Sequence, residues 1–274
     1  MNWLQTIFRL RRRPNDEEEK PFLDHLEDLR WTLIKMAIAL AVFMLLSFIF
    51  VKPIADVIEG PREATSKYMA EKHPEVKETN LTSLGPVDSI SITFKLTFYA
   101  GLVLSFPLQL YYLAAFLLPG LTSKERGMMV PVLLMGTGLF VIGVLFSYGW
   151  VLPGTLIFFA EDQAKFGWTT QWSVREYYSF VTQFSIGFGL AFELPLVVML
   201  LVKIGVVDFK LMNSTRSHAV VIMLTLAAVI TPTTDPFTLL AMAIPLIVLY
   251  EICIWISYFM GKKKEEESLG IDGP

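Results

Sequence analysis

Apolar windows near membrane-spanning length recur six times along the chain, at about residues 31–51, 90–118, 130–152, 177–202, 218–230 and 236–260. A bilayer core of about 30 Å takes about 20 helical residues to cross. The pattern therefore predicts an all-α integral membrane protein: a six-helix transmembrane domain over 21–260, between polar tails at 1–20 and 261–274. The last two windows are short. About 13 residues separate His218 from Pro232, and the sixth window meets Glu251 after about 15. Two short helices joined by the turn at 231–236 span if the bilayer thins locally, and a re-entrant hairpin is the alternative.

Polar residues inside these windows are few. Lys35 and Lys95 sit near the starts of the first and second, and Pro107 lies inside the second. Glu193 is a lone acid within the fourth, with no cation near it in sequence. An ionised group in hydrocarbon is costly, so such an acid faces protein or a wet cavity and marks function. Its partner must come from another helix, another chain or a guest.

Composition agrees that the solvent is lipid. Of 274 residues 54% are hydrophobic, against about 45–50% in ordinary soluble domains. The net charge of −3 argues against a nucleic-acid partner. Cys253 is the sole cysteine, so no internal disulfide or paired-thiol metal site forms.

The basic residues set the expected orientation. With six spans, fourteen of the 23 fall on the side shared by both termini and seven on the other, with Lys35 and Lys95 inside windows. The positive-inside rule places both termini in the cytoplasm and the loops 52–89 and 153–176 outside. Residues 1–30 are too polar to read as a cleavable signal peptide. Arg11, Arg12 and Arg13, and later Lys262, Lys263 and Lys264, read either as contacts to the lipid bilayer surface or as solvated tails.

Two acidic motifs lie at the cytoplasmic mouth. Leu23, Leu26, Leu29 and Leu33 recur at helical spacing, which makes residues 22–30 an amphipathic lead-in to the first span. It presents Glu27 and Asp28 where a membrane flank favours bases, with Arg30 as one internal counter-charge. Glu125 follows Pro119 and Gly120, which end the second helix. It reads either as a first-turn acid favoured by the helix dipole or, with the acids near Arg30, as half of a clamp for two guanidinium groups. Catalytic constellations are absent: there is no HExxH, GxSxG, CxxC or phosphate loop. Ser217 and His218 are adjacent on one helix and point apart, and Asp235 lies in a turn rather than beside Glu193 in a span. The chain reads as a non-enzyme without cofactor or metal.

Five motifs, in order, carry a resemblance. They are Phe22 through His25, Leu26, Asp28, Leu29 and Arg30; Phe116, Pro119, Leu121 and Glu125; Phe140, Gly143, Phe146, Tyr148 and Pro153; Phe188, Gly189, Phe192, Glu193 and Pro195; and Thr231, Pro232, Asp235, Pro245, Tyr250 and Glu251. Together they resemble TatC, the multispanning receptor subunit of the twin-arginine protein translocase, over about 21–258. The resemblance implies a concave, N-in/C-in bundle in the bacterial cytoplasmic (inner) membrane. It implies a signal-peptide site at Glu27, Asp28, Leu29, Arg30, Phe116 and Glu125. It also implies a polar docking site inside the membrane at Glu193, Thr231 and Asp235 for TatA- and TatB-type single-span partners, with self-association and proton-gradient-driven export of folded cargo. Asp28 stands where the family usually has Glu, Thr32 replaces a second base, and Thr238-Leu239 replace Ser-Gln. A proton-coupled secondary transporter using Glu193 is the rival reading.

Overall fold

The computed structural model describes residues 22–73, 81–117, 126–168, 171–203, 205–231 and 235–268. Among them the elements are α1 (Phe22–Ile49), α2 (Val51–Lys72), α3 (Asp88–Leu117), α4 (Arg126–Phe146), a π-helical turn (Ser147–Val151), α5 (Leu152–Lys165), α6 (Val174–Ala191), α7 (Leu194–Lys203), α8 (Phe209–Ser214), α9 (Arg216–Ile230) and α10 (Pro236–Ser268). The described residues contain no strand, only an isolated parallel bridge between Thr82 and Ser173. Five helical stretches are long and apolar enough to cross a membrane, and α9 is a shorter apolar helix.

Small residues let the spans close on one another. At Gly101 a Cβ would lie 2.7 Å from the Met44 amide nitrogen, so only glycine allows α3 this close to α1. Gln109 Nε2 ties the same pair by donating to the Met36 carbonyl at 3.0 Å. At Gly143 a Cβ would lie 2.5 Å from the Phe188 carbonyl, which sets the approach of α4 to α6. Phe140, Phe184 and Phe188 fill that seam without solvent exposure, and Phe106 stacks on Phe140 at 3.7 Å between ring centres. Large apolar side chains elsewhere on the spans, Leu45, Ile142, Val229 and Ile244 among them, remain exposed on the outside of the bundle. In a membrane those faces meet lipid.

Several elements differ from the pattern read in sequence. The lead-in and first span are one helix, α1. The expected outer loop 52–89 contains α2, despite Pro61 at its middle. The third span does not stop near 152. The chain passes through the π turn into α5, and the continuous helical stretch runs Val130–Lys165. Leu152 N–H reaches back to Ser147 O, and Pro153, which lacks a donor, explains why regular α-bonding lapses here. The fourth span is broken at Phe192 and Glu193, because Pro195 cannot donate to the Ala191 carbonyl; Glu193 N bonds the Leu190 carbonyl instead, a tighter turn. α10 is not short, since it runs through Glu251, whose charge pairs with Arg216 at 3.2 Å. Of the two last spans only α9, with 15 residues, is short.

The end of the bundle opposite Phe22 carries a built cap. Thr82 N donates to the Trp172 carbonyl and Val174 N to the Thr82 carbonyl, joining the segments before α3 and α6. Asp88, almost fully buried, accepts from Leu84 N at 3.0 Å and Gly85 N at 2.8 Å and lies 3.9 Å from Arg175. α2 is held on this end by tyrosines. Tyr177 donates to the Ile58 carbonyl at 2.8 Å and accepts from Arg62 N at 3.3 Å, bridging two backbone groups one helical turn apart in α2. Tyr178 donates to Glu59, which also pairs with Arg62 at 2.8 Å.

Candidate functional site

At the Phe22 end, the start of α1 meets the end of α3. The rings of His25 and Phe116 stack with centroids 4.7 Å apart and planes 18° apart. That contact sets Phe116 beside the turn carrying Glu27, Asp28, Leu29 and Arg30, 89 to 86 residues away in sequence. Glu27 is engaged along its own helix: it accepts from Trp31 Nε1 at 2.9 Å, and Arg30 lies 3.8 Å away. Both side chains of that pair are more than half exposed, so the contact is loose and worth little energetically. Asp28 is exposed, its carbonyl accepting from the Thr32 hydroxyl, and Leu29 is half-buried. Glu125 lies outside the described residues. The arrangement is an open ledge with acids on one helix and an aromatic step on the next. It offers carboxylates for guanidinium groups, and apolar surface for a hydrophobic segment joined to them.

His25 belongs to the matched motif, and nothing in the sequence assigns it a role. Its position three residues before Asp28 supplies the ring that fixes Phe116, a contact only the packing of α1 on α3 reveals.

The second candidate lies inside the bundle, at the break between α6 and α7. Glu193 is buried, and neither carboxylate oxygen has a side-chain hydrogen-bond partner among the described residues. It faces α4: a Cβ on Gly136 would lie 3.1 Å from its Oε2, 2.4 Å from Leu110 Cδ2 and 2.8 Å from Leu196 Cδ2. The proline-driven break turns the carboxylate against that glycine. Its motif neighbours Phe188, Gly189 and Phe192 serve packing, with Gly189 closed over by Phe140 and Val144. Thr231 ends α9, buried, with a hydroxyl that has no partner among the described residues. Asp235 caps α10, its Oδ1 accepting from Thr238 N at 2.8 Å. Ile230 touches Gly187, so the α9 end sits about six residues, roughly 9 Å, along α6 from Glu193. The described residues hold no cluster of metal-ligating side chains.

Residues 24–245 match the profile of the family described as Sec-independent protein translocase protein (TatC). The chain belongs to the TatC family. It is 46% identical to the Sec-independent protein translocase protein TatC of Akkermansia muciniphila over 185 residues, 68% of this chain and 53% of that relative. The chain thus spans about half of that longer protein. It is 34% identical to the TatC of Deinococcus radiodurans over 92% of this chain and 90% of the relative. A crystal structure described as the twin-arginine translocase receptor TatC superposes with a TM-score of 0.74 at 34% identity, covering 86% of this chain and 98% of that one. The all-helical, multi-pass membrane architecture expected from sequence is therefore that of TatC, the family described as Sec-independent protein translocase protein.

Proposed function

We propose that this chain is the signal-peptide receptor and core subunit of a twin-arginine translocase in a bacterial inner membrane, with both termini in the cytoplasm. The stacking of His25 on Phe116 carries the reading, because it gathers an acidic helix start and an aromatic step at one mouth of the bundle. Asp28 and Glu125 receive the two arginines of the signal, with Glu27, Leu29 and Arg30 beside them. Phe116 and the exposed apolar faces take its hydrophobic segment. TatA- and TatB-type single-span subunits dock inside the membrane at Glu193, with Thr231 and Asp235 further along. Two observations support that role: the Glu193 carboxylate is buried yet has no side-chain hydrogen-bond partner among the described residues, and the helix carrying it is broken there. Transport draws on the proton gradient, and the cargo is folded protein.

Photocrosslinkers at positions 28 and 125, tested against Arg-Arg and Lys-Lys signal peptides, discriminate the reading. Lysine keeps the charge but loses the planar fork. Crosslinks that require Arg-Arg support the receptor site; equal crosslinking of both peptides defeats it.

A further inference from the structure

The residues ahead of α1 carry the chemistry that the ledge is suited to receive. Arg9, Arg11, Arg12 and Arg13 put four guanidinium groups into five positions, and no acid precedes Asp16. Trp3, Leu4, Ile7, Phe8 and Leu10 join an apolar stretch to them. Adjacent arginines tied to an apolar segment are also what the proposed receptor site selects, so the inference rests on that reading.

The ledge stands open among the described residues. The Glu27 side chain is 56% exposed, Leu26 43% and Trp31 52%, and Asp28 is exposed as well. Glu27 and Asp28 share a helix face with Trp31, and the stack of His25 on Phe116 stands beside them. An exposed ion pair alone is worth little; a bidentate guanidinium pair is stronger and fixes geometry.

Chain length lets tail and ledge meet. Arg12 stands ten residues before Phe22, a reach of up to about 35 Å when extended. Asp28 lies only six residues, about 9 Å, into α1. A short tether holds such groups at an effective concentration on the order of millimolar, so contacts too weak to join separate molecules compete with an incoming signal. Asp16, Glu17, Glu18 and Glu19 are the nearer acids in sequence. They offer carboxylates but no aromatic step, so the ledge is the fuller match for arginines joined to Phe8 and Leu10.

We propose that residues 8–13 seat on the ledge of their own chain in place of a signal peptide. Arg11, Arg12 and Arg13 meet Glu27 and Asp28, and Phe8 and Leu10 meet the step of His25 and Phe116. A cargo signal enters by displacing them, so the tail sets the affinity that a signal must reach. A tail seated for about nine-tenths of the time weakens signal binding about tenfold.

The test uses the full chain in nanodiscs of phosphatidylcholine and phosphatidylglycerol, titrated with a labelled Arg-Arg signal peptide. Arg11→Gln, Arg12→Gln and Arg13→Gln together are expected to tighten binding by about threefold to tenfold. Lysine at the same three positions keeps the charge that favours the cytoplasmic side, loses the planar fork and is expected to tighten binding by less. A photocrosslinker at position 10, with no signal present, is expected to label residues 25–31 or Phe116 of the same chain. The Arg-Arg peptide should chase that label and a Lys-Lys peptide should not. Unchanged or weaker signal binding in the folded variants overturns the seat and leaves the receptor reading standing. Signal binding that ignores Arg-Arg defeats the receptor reading, and the seat with it. Label on lipid, on residues 16–19 or on a second copy overturns the seat in favour of bilayer contact, pairing within the tail or exchange between chains.

Discussion

Tyr148 donates its hydroxyl to the Val57 carbonyl, the acceptor that Pro61 leaves without its helical donor. The two prolines behind this contact lie 92 residues apart in the chain. Pro61 frees the carbonyl in α2, and the lapse in α-bonding ahead of Pro153 forms the π turn that carries Tyr148. Gly60 makes room: a Cβ there would overlap Tyr148 Oη, leaving space only for hydrogen. A defect in one helix is thus satisfied by a defect in another, and α2 is fixed across the end of the bundle.

Tyr148→Phe is expected to destabilise the protein by about 1–3 kcal/mol through the orphaned carbonyl. Gly60→Ala should reach a similar loss by displacing the same hydroxyl. The two should not add, because Gly60→Ala has less left to disturb once the hydroxyl is gone. Thermal unfolding of the single and double variants in detergent checks this, and simple additivity would refute the contact.

Gly143→Ala and Gly138→Ala form a matched pair on α4. At 143 the new methyl meets the Phe188 carbonyl, which is backbone and cannot swing aside; at 138 it meets nothing within 4 Å. The first should cost about 1–3 kcal/mol and the second should be neutral or stabilise by up to about 1 kcal/mol. Unfolding midpoints of the two variants decide it.

Replacing Glu193 by Gln should leave the fold at least as stable, since no side-chain hydrogen bond among the described residues depends on the charge and burial opposes it. The same change should reduce co-purification of TatA- and TatB-type subunits. Thermal unfolding and pull-down on one preparation separate the two effects. A sharp loss of stability would show that the carboxylate has a structural partner.

Phe116→Ala and His25→Ala should each weaken binding of a twin-arginine signal peptide, on the order of threefold to tenfold, the range of one aromatic contact. Phe116→Tyr keeps the stack and should bind nearly normally. Titration of a labelled signal peptide gives the comparison, with circular dichroism to confirm retained helix.

Glu59 sets an acid limit on the docking of α2. Burial pushes its carboxyl up, but hydrogen bonds from Arg62 and Tyr178 and the Arg62 charge outweigh it, so the group sits below its ordinary value of 4.5. A depressed carboxyl contributes stability above that ordinary value and loses it as pH falls through the lower folded value. Hydrogen exchange along α2 should therefore accelerate below about pH 4. Glu59→Gln should make exchange less dependent on pH over the same window.

Some of the protein was written in its sequence. Spanning helices declare themselves because lipid demands about 20 consecutive apolar residues, and that demand is local. An acid in such a run, Glu193, stands out for the same reason. The acids at the mouth of α1 and the order of the five motifs were likewise legible without coordinates.

Other features depended on contacts distant in sequence. α2 has a polar sequence with a proline inside, and local propensity argues against it; hydroxyls from Tyr148 and Tyr177 complete its backbone from about 90 to 120 residues away. Glu251, an acid that would end an apolar window, lies inside α10 and meets Arg216 of α9. The role of His25 waited on α3 to bring Phe116. Hydropathy is a property of each segment, so sequence determined which segments enter the membrane. Hydrogen-bond satisfaction and close packing are properties of pairs, so only the tertiary structure decided where those segments bend, break and meet.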